Sequence, residues 1–304
     1  MKPSQKRRCE LFAYNLGLAE KGVGSAKPVL ISLTSEAYSS SLCVFDIEKV
    51  TYYKEKLYQK KLKPTSTSDL ISARMSLQSE SNLNKMYSIY SDLKKRLKNH
   101  CSECHIQYAA YILSEYAGSL DSARSAHLAT KQLESIRSNK KALRCGNDLV
   151  IASLLASYNA QHREKNSDDI AECIKELKAR NISPSVAKYV ARVLVFGKGV
   201  ASARCDRFIR LIELLQDRDV KLGNGKEASI VAFASLIDVD DDILADSCAE
   251  VNNYFRLSND FSTEASRSMY SVIIACGQLA SEIEDSTTCL IKEATVSNIL
   301  SFEF

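Results

Sequence analysis

Apolar residues recur at i, i+3, i+4 and i+7 along much of the chain. Leu83, Met86, Tyr87 and Tyr90 show the spacing, as do Ile170, Cys173, Ile174 and Leu177, and again Phe208, Leu211, Ile212 and Leu215. It places four side chains on one face of an α-helix. Between these stripes lie shorter and more evenly apolar runs, each built around an alanine: Ala73, Ala110, Ala152, Ala191 and Ala232, at spacings of 37, 42, 39 and 41 residues. A run such as Ile151, Leu154, Leu155 and Tyr158 offers a broad apolar surface. The pattern predicts helix pairs, in which the first helix is flanked by neighbours on both sides and the second, more charged, has one face in solvent.

The same period reaches the weaker run Val29–Leu33, followed by a helix from Ile47 to Leu62, and at the other end Met269–Ala275, followed by one from Thr288 to Leu300. Periods of roughly 34–47 residues mark helical arrays, whose units bury their apolar faces only by stacking. The predicted fold is all-α: tandem antiparallel helix pairs stacked as a solenoid-like α-α superhelix, with about six or seven units of ~40 residues. Residues 1–27 read as an N-terminal helix or cap and 28–304 as stacked pairs of a single repeat domain. Helix ends agree with this division. Ser183-Pro184 sets a capping hydroxyl before a proline at the first helical position, and Ser167-Asp168-Asp169 and Asp240-Asp241-Asp242 place acids where the helix dipole favours them. Such a stack presents a groove lined by one helix series, although the pattern does not choose which.

Composition removes alternatives. In 304 residues there are 10 Gly, 4 Pro and no Trp, too few turn-formers for an all-β fold or for glycine-dependent phosphate cradles. Lys and Arg number 41 against 37 Asp and Glu, a net +4 that is too small and dispersed to imply nucleic acid. The densest basic run, Lys54, Lys56, Lys60, Lys61 and Lys63, shares its helix with Tyr53, Leu57 and Leu62 and reads as a solvated face. The basic start, Met1 to Arg8, leads into Glu10, Asn15, Glu20 and Lys21 rather than into an apolar segment, and no run of about 18 apolar residues follows anywhere. A cytoplasmic protein without a membrane span is expected. There the ten cysteines are expected to be free thiols, most of them buried as small apolar groups.

The sharpest local constellation is His100-Cys101-Ser102-Glu103-Cys104-His105. Cys101-x-x-Cys104-His105 has the spacing of a c-type haem attachment site, a reaction of exported proteins, and Cys101 with Cys104 has that of half a zinc site. A second half is missing as a motif, since His127, Cys145 and His162 are dispersed. Asp238-Val-Asp-Asp-Asp242 imitates the opening of a calcium loop, but Ile243 stands where that loop needs glycine and Ala249 where it needs glutamate. Gly223-Asn-Gly-Lys226 lacks the hydroxyl of a phosphate loop at Glu227. No Gly-x-Ser-x-Gly elbow occurs, and no catalytic residue or cofactor is assigned.

The stretch Gly146-Asn-Asp-Leu-Val-Ile-Ala-Ser-Leu-Leu-Ala156, followed by Ile170–Lys178 and Asn181-Ile-Ser-Pro-Ser185, resembles the bacterial domain-of-unknown-function family 4003, as does the order of units from about Leu30 to Tyr254. Asn139–Cys145 departs from the family pattern by lacking a His-Pro-Phe-Leu-Thr-like run. The resemblance implies an all-helical bacterial protein and brings no activity and no site residues. The expected function is a non-catalytic module binding an unknown protein or peptide. The alternative is a zinc or thiol-redox protein using His100, Cys101, Cys104 and His105.

Overall fold

A computed structural model of the chain describes residues 1–22, 27–78, 81–98, 100–138, 146–162, 165–222, 226–258, 261, 263–281 and 286–301. The divergent run Asn139–Cys145 and the glycine-containing turn 223–225 lie outside the described residues. Among those described there are fifteen α-helices and no strand. None of the helices is long and apolar enough to cross a membrane. The chain divides into two compact units: an N-terminal unit of residues 10–135 and 147–164, and a C-terminal unit of 1–9, 136–146 and 165–304.

In the N-terminal unit, first helices α2 (Pro28–Ser40), α4 (Ser68–Ser76), α6 (Glu103–Tyr116) and α8 (Asp148–Asn159) pack side by side, with α3 (Ile47–Gln59) laid against α4 and α5 (Ser81–Leu97) against α6. Every residue of α4 is buried. Ser76 shows one way a polar residue fits there: it donates to Ala73 O at 2.6 Å, as in the same row Ser35 donates to Ile31 O, Ser39 to Ser35 O and Ser153 to Leu149 O. A serine that spends its proton on its own helix is small and already satisfied, so neighbouring backbones can approach closely. Apolar side chains fill the rest, as in the cluster of Ala19, Tyr38, Phe45, Val50 and Ala73. Each large one contributes roughly 1.5–3 kcal/mol by leaving water.

The C-terminal unit repeats the plan with α9 (Ser167–Ala179), α10 (Pro184–Leu194), α11 (Ala201–Asp217), α12 (Lys226–Ala234), α13 (Asp241–Ser258) and α14 (Glu264–Ser281). Helices α10, α12 and α14 form the first row and α9, α11 and α13 the second. Residues 193–197 and, one repeat later, 233–237 make the same pair of turn hydrogen bonds, Phe196 N and Gly197 N matching Leu236 N and Ile237 N. Gly197 is required there. A Cβ would stand 2.4 Å from Leu236 Cδ2 and 2.8 Å from Arg204 Cδ. The expected caps are present: Ser183 accepts from Val186 N ahead of Pro184, and Asp240 accepts from the amides of Asp242 and Ile243.

One expectation is overturned. The last helix, α15 (Ser286–Ser301), is not the outer partner of α14. It lies on α12 and α10, against the first row. Asn298, fully buried, donates to Tyr189 O at 2.8 Å and Ser229 Oγ at 3.1 Å, and Leu290, Ala294 and Ile299 are buried with it. The first-row face of α10 and α12 is thus covered by the chain itself.

The scarcity of glycine also acquires a structural meaning. Helices α2, α3, α9 and α11 end in the same double hydrogen-bonded turn, in which two amides beyond the helix return to carbonyls of its last turn. The residue that must adopt positive φ there is usually glycine. Here it is Leu42 (φ 54°), Lys61 (φ 63°), Asn181 (φ 62°) and Asp219 (φ 59°).

Candidate functional site

The cysteine motif sits at the entry to α6. Ser102 is the residue before the first turn, and its Oγ lies 3.1 Å from Cys104 Sγ and 2.6 Å from His105 Nδ1. Cys101 and Cys104 are half-buried and His100 is exposed. Burial lowers the His105 pKa, and Asp148 partly counteracts it. The fold therefore gathers Cys104 and His105 around one hydroxyl. His127 is exposed and the His162 ring lies 4.7 Å from that of Tyr158, tilted by 40°, while Cys145 lies outside the described residues. Among the described residues, no group of three or more His, Cys, Asp or Glu is arranged to hold a metal ion. Five other cysteines, Cys9, Cys173, Cys205, Cys248 and Cys276, are buried free thiols, whereas Cys43 and Cys289 are exposed.

Deeper in the N-terminal unit, Glu36, Arg74, Tyr108 and Tyr111 are buried on three adjacent first helices. Burial alone would lower the Arg74 pKa, but Tyr108, Tyr111, Tyr116 and Glu36 together hold it above the usual guanidinium value. Burial raises both Tyr108 and Tyr111, so they remain neutral phenols. The opposite charges of Glu36 and Arg74 are enclosed in the core of α2, α4 and α6.

The surface differs between the two units. In the C-terminal unit second-row charges pair from helix to helix: Arg180 Nε with Asp206 at 2.7 Å, Arg207 Nε with Asp241 at 2.7 Å and Arg218 with Asp242 and Asp246 at 2.7 and 2.5 Å. Arg210 adds a second partner to Asp241. In the N-terminal unit the corresponding helices leave an open cleft of about 310 Å³ lined by Lys60, Lys61, Tyr87, Tyr90, Ser91, Lys94 and Lys95, with no acid in the lining. Lys60 Nζ lies 5.6 Å from the Tyr87 ring centre and Lys94 Nζ 5.1 Å from that of Tyr90. Lys94 also donates to Tyr90 Oη at 2.7 Å and meets Glu103 at 3.2 Å, and Tyr90 donates to Glu103. The hydrogen bond to Tyr90 raises the Lys94 pKa despite desolvation, keeping it charged. Half of this cleft comes from the basic run noted above; the other half, Tyr87 to Lys95, starts one repeat later.

A second feature adjoins it in sequence. Leu42, Val44 and Ile47 are 43%, 52% and 39% exposed in the turn between α2 and α3, although all three are apolar. The turn is rigidly held: Asn15 donates to Cys43 O at 2.9 Å and accepts from Phe45 N at 2.7 Å.

Serial helix pairs with a buried, hydrogen-bonded first row define the chain as an all-α protein built from stacked helix hairpins. More particularly, the model of a family described as a protein of unknown function, DUF4003, matches residues 48–302, and the chain belongs to that family. No curated protein and no solved structure was found to match.

Proposed function

We propose that the chain is a non-catalytic, cytoplasmic module that binds a protein or peptide, and that the partner docks on the N-terminal unit. The observation that carries this reading is the exposed apolar turn Leu42, Val44 and Ile47. Apolar side chains in rigid, solvent-facing positions are the anchors that protein interfaces use. Leu42 holds positive φ, where a leucine costs about 1–2 kcal/mol over glycine, so its exposure is maintained against a conformational penalty. Occupation of the α10 and α12 face by α15 supports placing the partner elsewhere than on that row.

The test is photo-crosslinking in native cells from an unnatural residue at position 44, with position 198 on the C-terminal unit as control. The reading expects a discrete adduct from 44 only, abolished by Ile47→Asp with no change in the melting temperature. Equal adducts from both positions, or none, would remove it.

A second reading rests on the Ser102, Cys104 and His105 contacts. Zinc or thiol chemistry at Cys101, Cys104, His100 and His105 predicts stoichiometric zinc by elemental analysis, lost in a Cys101→Ser/Cys104→Ser double variant.

A further inference from the structure

We propose that the lysine–tyrosine cleft between α3 and α5 is a binding site for a phosphoryl group. Four lysines line one concavity, together with Tyr87, Tyr90 and Ser91. Like charges gathered in this way repel one another, and an anion in the cleft relieves that repulsion. Two of the four are partly neutralised: Glu103 meets Lys94 at 3.2 Å, and Asp92 lies 3.8 Å from Lys95. Lys60 and Lys61 have no acidic partner among the described residues.

The bias is local. Residues 47–98 hold twelve Lys and Arg against five Asp and Glu, a surplus of seven in a chain whose total surplus is four. Lys61 adds a conformational argument, because it takes positive φ at a position that glycine fills without cost, and the cleft gains a charge by it.

The chemistry of the lining narrows the ligand. Lys60 lies over one face of the Tyr87 ring, and Lys94 sits at the hydroxyl end of Tyr90, where it donates to Oη. No arginine lines the cleft, so an anion there meets lysine point charges rather than a planar fork. Lysines act as point charges around a compact, multiply charged group, and the hydroxyls of Tyr87 and Ser91 complement its oxygens, that of Tyr90 being given to Glu103. The group could be carried by a small soluble phosphate or by a phosphorylated side chain.

The experiment is calorimetric titration of the full chain with inorganic pyrophosphate at constant ionic strength, with a phosphoserine peptide and its unphosphorylated form as separate arms. The inference expects saturable one-site binding in at least one phosphate arm and none to the unphosphorylated peptide; whichever arm binds identifies the source. Lys60→Gln/Lys95→Gln should weaken binding at least tenfold, and Lys49→Gln/Lys98→Gln, an equal loss of charge outside the lining, less than twofold. Lys61→Gly should weaken binding while raising thermal stability, which separates lost affinity from lost fold. Absence of saturable binding in both phosphate arms, or equal weakening by the two double variants, overturns the inference. The apolar turn takes no part in this titration, so Val44→Asp should leave it unchanged whatever becomes of the docking reading.

Discussion

Asp241 offers the most quantitative test of the packing described for the C-terminal unit. It is the first residue of α13, is 6% exposed, and receives Arg207 Nε at 2.7 Å and Arg210 Nε at 2.6 Å from α11. Asp241→Asn keeps the shape and removes the charge. Charge-assisted hydrogen bonds contribute about 1.5–3 kcal/mol when sheltered. Arg207 is 27% exposed and its bond qualifies; Arg210 is 64% exposed, and its pair is discounted to ~0–1 kcal/mol. The helix dipole adds about 0.3–1 kcal/mol at this position. Arg207 keeps its second bond, to Val239 O, so no buried guanidinium is stranded. The expected loss is about 2–3 kcal/mol at neutral pH.

Burial tends to raise the Asp241 pKa, but the two arginines outweigh it and hold it below the usual carboxylate value. A depressed folded-state pKa gives stability that is fully present above the unfolded value of ~3.9 and lost as pH falls through the folded value. The deficit of the variant should therefore shrink on acidification below about pH 4. Hydrogen exchange resolved by peptide is the suitable assay, because two units need not unfold together. Protection should fall in α11 and α13 at pH 7 and not in α3 to α6. A deficit below about 0.5 kcal/mol would refute the reasoning, as would one that does not diminish at low pH.

Further outcomes follow from the same geometry. Gly197→Ala should cost about 1–3 kcal/mol, because the new methyl collides with Leu236 and Arg204, whereas Gly199→Ala meets no atom within 4 Å and carries only the strain of φ 79°, about 1 kcal/mol; urea titration of both checks the order. Lys61→Gly should stabilise by up to ~1 kcal/mol, the relief of positive φ less the greater entropy of unfolded glycine, and its midpoint in urea should rise. Asn298→Ala leaves Tyr189 O and Ser229 Oγ without their donor and should cost about 1–3 kcal/mol, read as faster exchange in α10, α12 and α15.

Most of the fold was legible because a stacked hairpin repeats its signal. The stripe at Ile170, Cys173, Ile174 and Leu177 returns at Phe208 and Leu211, and both helices pack as their periodicity requires. Helix α15 was not legible for the converse reason. From Glu293 to Leu300 it is buried on every side, and Glu293, Thr295, Ser297 and Asn298 interrupt its apolar residues and leave no stripe to point at a partner. Sequence order then suggested α14 as its neighbour, whereas hydrogen bonds from Asn298 place it on α10 and α12.

The candidate site divides in the same way. Cys101-x-x-Cys104-His105 is conspicuous because its residues are consecutive, yet the fold gathers only Cys104 and His105 at Ser102. The lysine cleft is inconspicuous because its halves lie one repeat apart. Each half alone, Lys60-Lys61 or Lys94-Lys95, is indistinguishable from a solvated helix face. Only helix stacking sets Lys60 over Tyr87. Positive φ at Leu42 and Lys61 was equally hidden, since neither residue type marks such a turn.

The assignment of ligand binding to the N-terminal unit is tested most directly by acetylation of the native chain, read lysine by lysine by mass spectrometry with and without pyrophosphate at equal ionic strength. The account predicts that Lys60, Lys61, Lys94 and Lys95 are protected by pyrophosphate while Lys49, Lys98 and Lys198 are not. Protection spread evenly over all exposed lysines, or confined to the C-terminal unit, would contradict it.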